Sequence, residues 1–461
     1  MDDSGCDCSR RQVVRSLACG SLLLPGIIAQ LLTDEARGAT NDANPLAPKA
    51  PHFPGKAKRV IFLFMPGGVS HVDSFDPKPR LFADAEKGAV APNKRPYLRP
   101  LWEFKPRAKC GTEVSDLFPY IGECMDDICL IRSMRSDHND HFQSTMGIHT
   151  GSVTFKRPSI GSWVSFGLGT ENQNLPSFVV LAPQLPYAGS QVWSSDFLPA
   201  VHQGTRVVAG EEPVPNLNRR SPSEKIQQRE LGLLERFNRK HLQSRPADPT
   251  LAARLKSFET AFGMQREMPE VLDLSKETDA TLKLYGLERG SAKGFAWQCL
   301  VARRLAERGV RFIELIDVGS HNNWDAHDNL QSHGKLALNV DQAIAGLLKD
   351  LKSRGMLEDT LVVWTTEFGR SPHVDGPKGR GHQNTVFSSW LAGGGVKGGI
   401  VYGKSDDYGA KVAENEVHVH DFHATILHLL GFDHEKLTFR HGGRDFRLTD
   451  VHGRVVKEIL A

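Results

Sequence analysis

Carboxylates and imidazoles recur together in this chain where apolar runs break into polar loops. Glu367 closes the run 361–366 and is followed by Phe368, Gly369 and Arg370, with Gly379-Arg380-Gly381-His382 shortly after. The loop 317–329 is the densest in such groups; within it Asp325 and His327 are two apart, so they can present a carboxylate and an imidazole to one cation, with Trp324 packed behind. Ser70, His71 and Asp73 follow Pro66-Gly67-Gly68, and alternation along an extended loop would point His71 and Asp73 to one side. His138 and His141 are three apart, a spacing that shares one face of a helix. Acidic groups gathered at this density are costly without a cation or many hydrogen bonds. Carboxylate and imidazole ligands are what a hydrolytic metal centre uses. Each cluster also has a plainer reading. Glu367 would be a strand-end partner of Arg370, 70–73 an Asx-type turn, 317–329 a capping network, and Asp137 or Asn139 a helix cap.

These groups need a scaffold that brings distant loops together. Residues 59–65, 128–134, 178–182, 310–316, 360–366 and 386–391 read as buried strands, rich in β-branched and apolar residues. Helical periodicity covers 115–126, 160–168, 292–309 and 334–354, and a last helix starts at 417–423. The alternation implies an α/β fold, and in open α/β sheets ligands sit off the carboxyl ends of the strands. Residues 183–291 change texture, with charged amphipathic helices near 223–242 and 251–262, and read as an insertion that covers or rims the site. His418, His420, His423 and His428 invite a metal reading too. His423 and His428, however, lie among Ile426, Leu427, Leu429 and Leu430, which points to packing or surface roles for both.

The N-terminus has its own logic. Arg10-Arg11, then Gln12-Val13-Val14-Arg15 and a weakly apolar stretch to Leu32, is the pattern of a twin-arginine export signal. Residues 1–43 are expected to be that signal and its cleavage region, and 44–56 a loose Pro/Ala-rich linker before a domain spanning 57–461. The destination would be periplasmic or extracellular. Net charge is only +3 over 461 residues, without a basic run interleaved with aromatics, so nucleic acid is not implied. No apolar run approaches the ~20 residues of a membrane helix. Three of the seven cysteines lie in the leader; Cys110, Cys124, Cys129 and Cys299 remain, and their spacing does not decide pairing.

The strand into GGVSHVDSFDPKP, the segments SDHNDHFQSTMGIHTGS and ARRLAERGVRFIEL, the WDAHDN loop, TTEFGR, GRGHQN and VHVHDFHATILHLLGFDHEKL together resemble the bacterial family known as domain of unknown function 1501. That family belongs to the alkaline phosphatase/sulfatase-like superfamily. The resemblance covers nearly all of the chain beyond the leader. It implies a three-layer α/β/α sandwich with a mostly parallel central sheet. It also implies one or two divalent cations, Zn, Ca or Mn, acting on a sulfate or phosphate ester. Glu367 and Phe368 stand where the superfamily usually has Asp-His; His382 resembles the late His ligand, and Asp325 with His327 the middle pair. There is no Cys-x-Pro-x-Arg motif, which excludes a formylglycine nucleophile, and His141 falls near that place. The expected metal ligands are therefore Asp73, Asp325, His327, Glu367 and His382. Ser70, His71, His141 and Arg370 are expected near the chemistry, with an anionic ester, sulfated polysaccharide among the candidates, as substrate. The alternative is a non-catalytic exported binding or scaffold protein on the same fold, with anionic polysaccharide as its partner.

Overall fold

The computed structural model of the chain describes residues 44–461 apart from 211, 216, 218–220 and 244–248; the expected export signal, 1–43, lies outside the described residues. The strands that build and flank the site are β1 (Arg59–Phe64), β2 (Ile128–Arg135), β3 (Phe178–Leu181), β4 (Thr205–Val207), β5 (Phe312–Ile316), β6 (Thr360–Thr365), β7 (Gly369–Asp375), β8 (Gly379–Gln383), β9 (Phe387–Ala392), β10 (Ile400–Tyr402) and β11 (Val417–His418). Among the described residues, all of these except β7 and β8 join one nine-stranded sheet, in the order β10-β2-β9-β6-β1-β5-β3-β4 with β11 also on β2. β1 lies between β5 and β6 and is parallel to both, and β9 runs antiparallel to β6 and β2.

The central strands are apolar on both faces because both faces are covered. Along β1, Ile61 and Leu63 point into one core and Val60, Phe62 and Phe64 into the other. The first core is closed by α3 (Phe295–Glu307) and α4 (Ser332–Ser353). The second is closed by α1 (His141–Thr150), α2 (Ile160–Leu168) and α5 (Val419–Leu429). This is the three-layer α/β/α sandwich with a mostly parallel sheet. Each fully buried Val, Phe or Leu of β1 contributes roughly 1.5–3 kcal/mol of burial. No helix among the described residues is long and apolar enough to cross a membrane.

Several local expectations change. The helix expected over 115–126 breaks into the strand Thr112–Ser115, a short helix Pro119–Gly122 and a 3-10 turn Met125–Asp127. Pro119 has no N–H to continue a helix from upstream, so no helix runs through it from 115 and the short one begins there. Residues 376–378 are the turn of a hairpin, with β7 and β8 antiparallel and a register shift between Arg380 and His382. Residues 45–56, within the stretch 44–56 expected as a loose linker, lie along the body. Leu46 is buried, its carbonyl accepts from Thr170 N–H at 3.0 Å, and Phe53 N–H donates to the Gly431 carbonyl at 3.1 Å. The segment 183–291 supplies β4 to the sheet edge and packs Met264, Met268 and Val271 into the first core. Cys110, Cys124, Cys129 and Cys299 are free thiols.

Candidate metal centre

The centre is assembled on the turn after β1. Pro66 accepts from Trp324 N–H at 3.1 Å, which brings the 317–329 loop against the glycines. Gly67 has φ +110°, and a Cβ there would lie 2.6 Å from the Asp325 nitrogen, so only glycine allows the approach. Gly67 N–H donates to Glu367 Oε1 at 2.8 Å, and Gly68 and Val69 N–H donate to Thr366 Oγ1 at 3.1 and 3.3 Å. The β1 turn thus fixes the end of β6 with its own amides.

Glu367 is fully buried and also accepts from His141 Nδ1 at 2.7 Å. His141 opens α1, where Asp140 caps the helix by accepting from Phe142 N–H. The other ring nitrogen, Nε2, is 3.2 Å from Asp325 Oδ2. Burial disfavours a charge on this ring, but the two carboxylates outweigh it and raise its pKa to about 9. Asp325 is half-buried, which works against its charge; His141, His382 and Arg370 nevertheless hold it far below the usual carboxylate range.

His382 and His327 complete the centre. The Asn139 carbonyl can only accept, so His382 Nδ1 donates to it, at 2.6 Å. His327 Nδ1 donates to Asp375 Oδ2 at 2.6 Å. With Nδ1 so engaged, each ring has only Nε2 left to turn to the centre, as an N–H toward Asp325 or, with a cation bound, as a lone pair. The two Nε2 atoms face each other at 2.9 Å, and Asp325 Oδ1 lies 3.0 Å from one and 3.4 Å from the other. Two imidazole nitrogens and a carboxylate thus converge on one point, beside the Arg370 guanidinium, whose Nη1 is 3.4 Å from His327 Nε2. His141, Asp325 and His382 each offer one donor atom within 4.8 Å of the others. Imidazole and carboxylate donors whose outer atoms are tied to a carbonyl and a carboxylate are the arrangement of metal-ligating histidines. The donor set fits a divalent cation.

Arg370 lies close by but is fully engaged. Its guanidinium donates to the Gly67, Gly68 and Arg380 carbonyls, to His327 Nε2 at 3.4 Å and to Asp325 Oδ1 at 2.5 Å, and it is fully buried. Its charge therefore reaches the site through Asp325. Asp73, expected among the ligands, instead forms a buried ion pair with Arg380 at 2.7 Å and accepts from Ser70 Oγ and Leu101 N–H. Ser70 is buried, with its N–H on His333 Nε2 at 3.1 Å. His71 is buried with Nε2 2.9 Å from the Gly409 carbonyl. The structure thus brings Asp325, His327, Glu367, His382, His141 and Arg370 together, and gives Ser70, His71 and Asp73 other partners.

Aromatic walls close the centre. Tyr187 stacks on His141 with centroids 4.1 Å apart and planes 7° apart, and its hydroxyl accepts from Asn323 at 2.9 Å. Phe368 lies 4.8 Å from the His141 ring and 4.6 Å from the His382 ring. Tyr187, Asn139 and Asp375 were missed by the sequence reading; Asp375 alone carried a signal, as a carboxylate a few residues ahead of His382.

The family model described as "Protein of unknown function (DUF1501)" matches residues 57–460. The chain belongs to the DUF1501 family. No curated protein sequence matches it significantly. Solved structures similar to this DUF1501 chain include Ps i-CgsB in complex with k-i-k-neocarrahexaose, at 12% identity and TM-score 0.39, covering 85% of this chain and 75% of that one. The PsFucS1 sulfatase from Pseudoalteromonas sp. is 13% identical with TM-score 0.35, covering 82% of this chain and 69% of that one. The phosphonate monoester hydrolase SpPMH from Silicibacter pomeroyi is 11% identical with TM-score 0.38, covering 87% and 76%. Likeness at this level carries no chemistry over to the chain, whose own side chains must supply it.

Proposed function

We propose that this DUF1501 chain is an exported, metal-dependent hydrolase of sulfate or phosphate esters. The observation that carries the reading is the convergence of His327 Nε2, His382 Nε2 and Asp325 on one point, with His141 held between Asp325 and Glu367. His327, His382, Asp325 and His141 would hold the cation, with Glu367 orienting His141. A divalent cation bound there polarises an ester oxygen and acidifies water. Around it, Glu367 and Asn139 fix the ring orientations of His141 and His382. Arg370 offsets the charge of Asp325, and Tyr187 and Phe368 present faces that exclude water from the rings. The paired arginines near the N-terminus support export by the twin-arginine route.

The test is metal analysis of the purified full chain, beside turnover of aryl phosphates, aryl sulfates and a sulfated polysaccharide. Bound Zn, Mn or Ca with turnover lost in His382→Ala is the expected result. A metal-free protein that hydrolyses none of these would overturn the reading. The second reading, a non-catalytic binder of anionic polysaccharide, draws on Arg370 and Arg380, whose guanidinium donors are committed internally and are not offered to a transferring group. Glycan binding unchanged in Glu367→Gln, with metal lost and no turnover in the parent, would favour it.

A further inference from the structure

A second cluster lies beyond the end of β2. β11 pairs with β2 and sets His418 beside Asp137, with His418 Nε2 2.9 Å from Asp137 Oδ1. His418 also caps α5, its Nδ1 accepting from His420 N–H at 3.3 Å. Imidazole is an unusual residue for that task, where Ser, Thr, Asp and Asn are preferred, so capping does not account for its choice. The ring of His420 lies 5.0 Å from that of His418. His420 is 7% exposed, and its Nδ1 has no hydrogen-bond partner. A buried polar atom left in this state carries a desolvation penalty that a ligand would remove. Asp137 and His420, with Ser136 and Ser144, line a cavity of about 10 Å³, close to what a single water or ion needs. One donor atom from each of Asp137, His418 and His420 lies within 4.8 Å of the other two. A third imidazole, His452, has its ring 5.1 Å from that of His420.

We propose that Asp137, His418 and His420 form a second metal site, distinct from the centre at His382. Two imidazoles and one carboxylate suit a borderline transition cation such as Zn²⁺, Ni²⁺ or Cu²⁺, rather than Mg²⁺ or Ca²⁺, which take all-oxygen shells. On binding, Asp137 exchanges its hydrogen bond for the cation. The proton on His418 Nε2 leaves to solvent and one returns at Nδ1, so the ring stays neutral and the 3.3 Å cap bond is given up. The other half of the cap remains, because Asp421 still accepts from His418 N–H at 3.1 Å. The site joins the end of β2 to the start of α5, and it stands whether or not the centre at His382 turns over a substrate.

The experiment is a Zn²⁺ titration of the chelator-stripped full chain by calorimetry, repeated with Co²⁺ to read the ligand field. His418→Asn removes the imidazole while keeping a side-chain oxygen for the cap, so its apo stability should stay near that of the parent. His420→Gln removes the buried ring. Both should weaken one class of Zn²⁺ binding by at least about tenfold. His382→Ala should abolish a different class and leave this one in place. Zn²⁺ binding in His418→Asn with parental stoichiometry and affinity would overturn the proposal. So would a parent chain in which His382→Ala removes all Zn²⁺ binding. Should His420→Gln fail to fold, His418→Asn decides alone.

Discussion

His327 and His382 meet Nε2 to Nε2 at 2.9 Å, and each has its other ring nitrogen already donating, to Asp375 and to the Asn139 carbonyl. The outer bonds dictate which nitrogen of each ring faces the centre. They make Asp375 an orienting residue with no need to touch a ligand itself. Asp375→Asn should weaken metal binding by about 10–100-fold, the usual effect of losing a carboxylate behind a ligating histidine. Competition with a chromophoric chelator measures it. An unchanged affinity would mean that His327 does not ligate.

Asp73 and Arg380 form an ion pair with both side chains fully buried. Asp73→Asn leaves the guanidinium without its carboxylate, and breaking such a pair costs about 3–5 kcal/mol. Denaturant unfolding should show that loss while metal content per folded chain stays constant. A carboxylate acting as a ligand would give the reverse pattern, with metal lost at modest cost in stability.

Asp317 provides a pH dependence away from the metal centre. Burial pushes its carboxyl up to about 7, against the pull of hydrogen bonds from Trp324 and Asn339. In the unfolded chain the group titrates near 4. The folded state thus holds a proton that the unfolded state has lost between these limits. Its contribution is complete in acid and declines as pH rises from about 4 to about 7, by at most ~4 kcal/mol. Asp317→Asn should flatten that part of the stability profile, read by thermal unfolding across pH in chelator.

Tyr187 tests the wall of the site. Tyr187→Phe keeps the stack on His141 and loses only the hydrogen bond from Asn323, whereas Tyr187→Ala loses both. The alanine variant should be less stable than the phenylalanine variant by about 0.5–1.5 kcal/mol beyond the burial difference. It should also bind metal less tightly, because the His141 ring gains freedom. Equal metal affinity in the two variants would count against a ligating His141.

The six strands at the centre of the sheet were legible because they are apolar on both faces; residues 360–366 illustrate this, observed as β6 (Thr360–Thr365), whereas β7 and β8, rich in Gly, Arg and Pro, gave no such signal. The helix expected over 160–168 is observed as Ile160–Leu168, since Ser159 caps it and Gly169 ends it. The cap of α1 was harder. Asp137 or Asn139 was expected there, but Asp140 caps the helix by accepting from Phe142 N–H, because the helix starts only at His141. His71 and Asp73 were expected to project together from an extended loop. They sit instead in a 3-10 turn, His71–Asp73, where residues two apart diverge, and so they reach different partners. Tyr187 had no local signal, because its role comes from a stack on a ring 46 positions away in the chain.

The amides of Gly67, Gly68 and Val69 point inward, onto Glu367 and Thr366. In many phosphate cradles such amides greet the guest. In this fold they are sealed off, so the ester proposed above would meet side chains and not the amides of that turn. Recognition at this point would thereby rest on side chains, which point substitution can change without disturbing the amide contacts that tie the end of β1 to the end of β6.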